Sequence, residues 1–162
     1  MTAPADAIEL RPAVADDVPA VVTLVTAALA EFGLTFGVGA ATDAQLRALP
    51  GSYTDGGGQF WVAREARDDG RLLGTAGVYP VAPGVYELRK MYLTPAARGR
   101  GVGARLLDVA LAWTRAAGGT AMVLDTIEAM TRAIAFYEAH GFVRDDAQIR
   151  GARCTRGYRR AL

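Results

Sequence analysis

The chain has 162 residues, 51% of them hydrophobic, 22% charged and 8% aromatic, a balance that suits a folded domain and excludes a disordered tail. Eighteen Lys and Arg against 17 Asp and Glu leave a net charge of +1, which excludes a polybasic surface of the kind that grips a nucleic-acid backbone. The one cysteine, Cys154, excludes an internal disulfide and any cysteine-cluster metal site. Residues Ile8 to Arg11 alternate and are closed by Pro12, which predicts a first strand. Asp16 and Asp17 are placed to cap the helix that follows, where Pro19 is tolerated in the first turn. Val18, Val21, Val22, Val25 and Leu29 recur at helical spacing and predict a core-facing stripe on a helix running to Ala30. Phe32 to Gly39 is an irregular aromatic-and-glycine stretch, and Asp43 is a candidate start for a short helix through Leu49, ended by Pro50 and Gly51.

Gly56 to Gly58 form a turn after Tyr53. Phe60 to Arg64 and Leu72 to Tyr79 read as strands joined by the polar turn Asp68, Asp69 and Gly70, an antiparallel hairpin extended by Val85 to Leu93. Gly101 to Ala117 is the strongest helix, with Val102, Leu106, Ala110 and Trp113 on one stripe, broadened by Leu107 and Leu111. Gly118 and Gly119 stop it before a short apolar strand, Ala121 to Leu124. Thr131 is a candidate cap for a last helix through His140, and Arg150 to Arg159 predicts one or two edge strands. The expected architecture is α/β: one domain over residues 1–162 with a mixed, mostly antiparallel central sheet flanked by helices. Met1 to Ala7 carry no basic start followed by an apolar run, and no stretch approaches the roughly 20 apolar residues that span a bilayer. The expectation is a cytoplasmic protein that engages neither membrane nor nucleic acid.

The clearest candidate site is Arg98-Gly99-Arg100-Gly101-Val102-Gly103, between a strand ending at Leu93 and the strongest helix. Glycines permit close backbone approach, and the free amides at a helix start point at a common spot, a ready site for a diphosphate. Arg98 and Arg100 can add charge-assisted contacts. The same residues also suit a solvent-exposed glycine cap with two surface arginines. The nucleoside-triphosphate loop lacks its Gly-Lys-Ser or Gly-Lys-Thr ending here, and the Gly-x-Gly-x-x-Gly spacing of dinucleotide folds is absent.

These residues resemble the signature of the GCN5-related N-acetyltransferases, the GNAT superfamily: Arg or Gln, two residues, Gly, one residue, then Gly or Ala, read here as Arg98, Gly101 and Gly103. The resemblance extends to Glu87 through Pro95, to Ala133 through Phe142, and to the opening Leu10 through Ala13 with Asp16, in the family's order. It implies the GNAT fold, acetyl-CoA as cofactor and transfer of an acetyl group to a primary amine, with the pyrophosphate of coenzyme A over Arg98, Gly99, Arg100, Gly101, Val102, Gly103 and Ala104. The cofactor's arm would lie along the backbone of Met91, Tyr92 and Leu93, opposite Leu124 to Thr126. Leu88 lies an odd number of residues from Met91 and Leu93, so either a bulge near Arg89 or Lys90 aligns them or they bury on opposite faces.

The same resemblance offers Tyr137 as the proton donor near the cofactor sulfur, although the residue type also suits a core tyrosine beside Phe136. Glu87 is the candidate base, directly or through water, and could instead pair with Arg89 as structure. The sole histidine, His140, fits a cap or the surface at its helix end. Relatives often carry asparagine where this chain has Met130, so that contact would be lost or fall to Thr126, Thr131 or Arg132. The resemblance puts the acceptor pocket near Phe32, Leu34, Phe36, Tyr53 and the Ala147-to-Gly151 region, with Arg89 a further candidate contact, and Asp43, Glu31 and Asp55 could attract a cationic acceptor. One histidine and scattered carboxylates imply no metal. An edge strand near the C-terminus could support a homodimer. A small-molecule amine is the expected substrate; an acyl-CoA-binding regulator or sensor, a protein N-terminal or lysine acetyltransferase, and a vestigial structural scaffold are the other classes open.

Overall fold

The computed structural model describes residues 7–67 and 70–162, so Asp68 and Asp69 of the expected hairpin turn, and residues 1–6, lie outside it. Its strands are β1 (Ile8–Pro12), β2 (Gln59–Glu65), β3 (Leu72–Ala82), β4 (Val85–Leu93), β5 (Ala121–Thr126), β6 (Val143–Arg144) and β7 (Arg156–Ala161). The α-helices are α1 (Val18–Ala30), α2 (Gly51–Thr54), α3 (Val102–Ala116) and α4 (Thr131–Ala139), with a 3-10 helix over Ala41–Ala48. All strands join one sheet in the order β1-β2-β3-β4-β5-β7-β6. Only β4 and β5 run parallel, because α3 makes a crossover between them. The expected mixed, mostly antiparallel sheet flanked by helices is the observed one.

Alternation along the strands sorts the core onto two faces. On β2, Trp61 and Ala63 pack toward α3 and α4 with Leu106, Leu107, Leu111, Ile134 and Tyr137. Phe60 and Val62 face the other way, toward α1, with Val21, Val25, Leu29, Leu46 and Tyr53. Burying each such side chain contributes about 1.5–3 kcal/mol, so both helix layers are firmly seated on the sheet. The buried stripe of α1 is Val21, Leu24, Val25, Ala28 and Leu29, rotated slightly from the expected one, with Val18 and Val22 only partly covered.

Three local expectations are corrected. Asp17 stands at the N-cap of α1 but makes no side-chain cap bond to that helix. Its carboxylate instead receives Arg11 at 2.8 and 2.9 Å, Arg64 at 2.7 Å and the Val14 amide at 2.8 Å, tying β1, β2 and α1 together. The N-cap of α4 is Met130, not Thr131, whose side chain is exposed. The C-terminal strand β7 is internal, between β5 and the two-residue edge strand β6. The fully buried Tyr158 explains why: its ring belongs to the core and its hydroxyl reaches Glu138 at 2.9 Å.

Candidate active site

The parity mismatch between Leu88 and Met91 resolves as a bulge. Between the pairs Thr75↔Tyr92 and Gly77↔Arg89, β3 advances two residues while β4 advances three. Lys90 takes a left-handed conformation, φ 53°, and its carbonyl accepts a 2.7 Å hydrogen bond from the Thr75 hydroxyl. A non-glycine residue rarely adopts that conformation without surrounding support. Here the support is ionic as well: the buried Lys90 ammonium donates to Asp43, which is itself fully buried.

The bulge forks the sheet. Parallel pairing of β4 with β5 covers only Val85↔Ala121 through Glu87↔Val123, and then stops. Past Glu87 the two strands part around a cavity of about 1050 Å³, lined by Met91, Tyr92 and Leu93 on one side and Leu124 to Ile127 on the other. Backbone groups of β4 that face this gap have no strand partner among the described residues.

At the end of β4 the chain turns through Gly99 and Gly101, both at φ 76°, a conformation that penalises any side chain. Gly101 is the N-cap of α3. Among the described residues, the amides of Gly101, Val102, Gly103 and Ala104 meet no acceptor, and all four residues line the cavity. A helix start with free amides and positive dipole end is suited to an anion. Arg98 lines the same wall, while both carboxylate oxygens of Glu31 accept from its guanidinium at 2.8 Å. Arg100 does not line it; its guanidinium turns to Glu65 at 2.8 Å, so this expected contact is drawn away by an ion pair.

Tyr137 lines the cavity from α4, edge-on to Phe136 and Phe142, with centroids 5.7 Å away in both cases. Burial, followed by the neighbouring Tyr92, raises its phenol well above the ordinary tyrosine range, so it keeps its proton. Glu87 stands at the fork itself. Its Oε1 accepts from Arg89 Nε at 2.5 Å, while its buried Oε2 has no hydrogen-bond partner. Thr126 and Arg132 also line the cavity; the Thr126 hydroxyl donates to the Met130 sulfur at 3.5 Å, filling the asparagine position with an internal contact. His140 lies outside the lining, its Nδ1 2.7 Å from the Phe136 carbonyl.

The acceptor side differs most from expectation. Phe32 and Arg89 line the cavity, but Phe36 and Tyr53 do not. Tyr53 is fully buried in the α1 core, edge-on to Phe60 at 5.1 Å and Tyr79 at 5.9 Å, because the single turn of α2 folds it inward. Phe36 packs against that same core with Arg47 5.1 Å above its ring. Asp43 neither caps a helix nor faces a ligand: besides Lys90, it binds Arg153 at 3.1 and 3.2 Å and the Gly37 amide at 2.8 Å. Glu31 is likewise occupied by Arg98.

Leu34, Arg150 and Gly151 of the expected acceptor elements line the cavity, and the residues missed from the sequence are Lys90, Arg153 and Cys154, all on its wall. Lys90 is the only lysine in the chain, and Arg153 lies in the loop before the last strand, which are the signals that could have found them. Burial, and then Asp125, pushes the Cys154 thiol up to about 12, so the sulfur stays protonated. Among the described residues, no group of three metal-ligating side chains occurs, and no helix is long and apolar enough to cross a membrane.

The sequence profile of the Acetyltransferase (GNAT) family matches residues 26–142, from within α1 to the end of the α4 turn. The chain belongs to the GNAT acetyltransferase family. Among GNAT relatives, an uncharacterized N-acetyltransferase of Escherichia coli K12, YjgM, is 33% identical over 130 residues, covering 78% of this chain and 76% of that protein. A GNAT acetyltransferase from Staphylococcus aureus Mu50 superposes with a TM-score of 0.87 at 21% identity, covering 96% of this chain and 99% of that one. The PaiA N-acetyltransferase of Thermoplasma acidophilum, solved in complex with coenzyme A, shares the fold with a TM-score of 0.75 at 18% identity, covering 96% and 99%. The forked sheet and glycine turn are thus features of a GNAT scaffold carried by this sequence.

Proposed function

We propose that this protein transfers an acetyl group from acetyl-CoA to the primary amine of a small molecule, by direct attack within a ternary complex. One observation carries the reading: a fork between β4 and β5 that opens at a buried carboxylate and ends at a helix start with four unpartnered amides. These residues suit coenzyme A, whose diphosphate needs amide donors and whose amide-bearing arm needs an unpaired strand edge. The relatives solved with coenzyme A or acetyl-CoA support the same choice.

Acetyl-CoA supplies an activated acyl thioester. In this reading the amides of Gly101 to Ala104, with Arg98 and Gly99, hold the diphosphate. The backbone of Met91 to Leu93 aligns the arm, assisted by Thr126 and Arg132. Glu87 Oε2 receives the ammonium of the acceptor and draws its proton away, directly or through water, because a protonated amine has no lone pair with which to attack. Tyr137 keeps its proton at Oη and can donate it to the departing sulfur. Holding the two molecules at the fork replaces a bimolecular encounter by a positioned one.

The test is acetyl-CoA with amino acids, polyamines, aminoglycosides, aryl amines and peptide N-termini, monitored by thiol release, alongside calorimetric titration with coenzyme A. Coenzyme A binding with amine-dependent thiol release is expected. Failure to bind coenzyme A at millimolar concentration overturns the reading.

A further inference from the structure

At the fork the cavity wall carries Arg89, Lys90, Arg150 and Arg153 with the carboxylates Glu87 and Asp125, and Asp43 lies buried behind Lys90 and Arg153. Most of these charges are already satisfied. Asp43 takes Lys90, Arg153 and the Gly37 amide. Asp125 Oδ2 takes the backbone amides of Arg150 and Gly151 at 2.7 and 2.8 Å, which fixes the loop that presents Arg150. Glu87 Oε1 takes Arg89.

Two groups keep open hydrogen-bonding capacity, and they form a loose ion pair with each other at 3.6 Å. One is Glu87 Oε2, buried without a donor. The other is Arg150, whose Nη1 touches only the oxygens of Gln148 and lies 3.6 Å from Glu87 Oε2, while its Nε and Nη2 have no acceptor among the described residues. At 3.6 Å the pair gives the buried oxygen no hydrogen-bond donor, which an ammonium would supply, and it leaves open an edge of the guanidinium that suits a planar anion. Their closeness suits a small molecule that carries both charges.

We infer that the acceptor is an amino acid-type zwitterion, its ammonium on Glu87 and its carboxylate on the free edge of Arg150. This rests on the acyl-transfer reading above. It replaces the cationic acceptor that Asp43, Glu31 and Asp55 suggested, since the first two are consumed by internal ion pairs and Asp55 does not line the cavity. A polyamine finds one unpartnered carboxylate oxygen here and meets a guanidinium beside it.

The experiment uses matched sets: the common L-amino acids and β-alanine, each with its carboxamide and its decarboxylated amine, assayed with acetyl-CoA. At least one carboxylate member should exceed its own carboxamide by about tenfold or more in kcat/KM. Arg150→Gln should raise the KM of that member by about tenfold, leave its carboxamide within about twofold, and leave the Kd for coenzyme A unchanged. Equal turnover of carboxamides or decarboxylated amines overturns the inference, as does an Arg150→Gln loss shared by both members of a pair. If coenzyme A binds but no amine releases thiol, calorimetry of the coenzyme A complex with the same pairs decides. Preferential binding of a carboxylate member sustains the inference; no binding of any at about 10 mM, a free energy weaker than about −3 kcal/mol, overturns it. Absence of coenzyme A binding instead removes the acyl-transfer reading itself, which the separate titration reveals.

Discussion

Arg98 Nη2 lies 2.8 Å from both carboxylate oxygens of Glu31, joining the glycine turn to the C-terminal end of α1. Both residues line the cavity, and both are about one-third exposed. Such an ion pair contributes about 0–1 kcal/mol, so it is easily exchanged for a stronger anion. Glu31→Gln should therefore tighten coenzyme A binding by roughly two- to fivefold, with the gain shrinking at high salt. Calorimetry at two ionic strengths reads both effects, and weaker binding by the variant would show that Glu31 assists the ligand.

Gly103 faces the cavity, where an added Cβ would stand 3.5–3.7 Å from Leu93, Phe136 and Met91, ordinary contact distances. The backbone accepts a side chain; the space in front is what a ligand needs. Gly103→Leu is expected to lower coenzyme A affinity by at least about tenfold while helix propensity rises, so Tm should not fall much. Retained affinity with a lowered Tm would place the diphosphate elsewhere.

Tyr137→Phe keeps the ring between Phe136 and Phe142 and removes only the hydroxyl. A loss of about 10- to 100-fold in kcat, with KM for acetyl-CoA nearly unchanged, is expected of a proton donor. Because burial raises the phenol well above the ordinary tyrosine pKa, Tyr137 should cause no alkaline decline in kcat below about pH 10. A kcat–pH profile of enzyme and variant checks both statements; unchanged kcat makes Tyr137 a packing residue.

Asp17 bears on stability rather than chemistry. Burial alone would raise its pKa, but Arg11, the Val14 amide and Arg64 outweigh it and hold the carboxyl below the usual aspartate value. A lowered folded pKa means that the contribution is complete above the unfolded value of about 3.9 and is lost as pH falls through the folded one. Asp17→Asn should cost about 2–3 kcal/mol near pH 7, by leaving two arginines short of a counter-charge. Urea unfolding from pH 7 to pH 3 should show the difference between the two proteins narrowing only at the acid end.

The regular elements were legible because their signals are local: alternation in β1 to β3, the stripe of α3, and the glycine pair that ends it. The bulge was legible only as one of two options, since the odd spacing of Leu88 and Met91 also allowed burial on opposite faces, and the register of β3 against β4 decides for the bulge. What the chain order hid were partnerships over long separations. Asp43 looked like a helix cap beside its own helix, yet its partners Lys90 and Arg153 lie 47 and 110 residues away. Asp17 read as a cap for the same reason, although Arg64 is the distant contact. Tyr53 followed an irregular loop, where an aromatic can line a pocket or seal a core; only the folding back of α2 decides for the core. The unpartnered edge of Arg150 is likewise a property of the assembled loop and of the amides that Asp125 clasps.

The fork at Glu87 passes through the whole thickness of the sheet, since Ala28 of α1 and Glu31 just after it line it along with Val102 and Phe136 from the opposite layer. Most sheets are walls; this one has a window. A window with exposed rims at Phe32 on one side and Arg132 on the other provides two doorways to a single meeting point. In the acyl-transfer reading proposed above, such a window lets coenzyme A and the acceptor be held at the fork together.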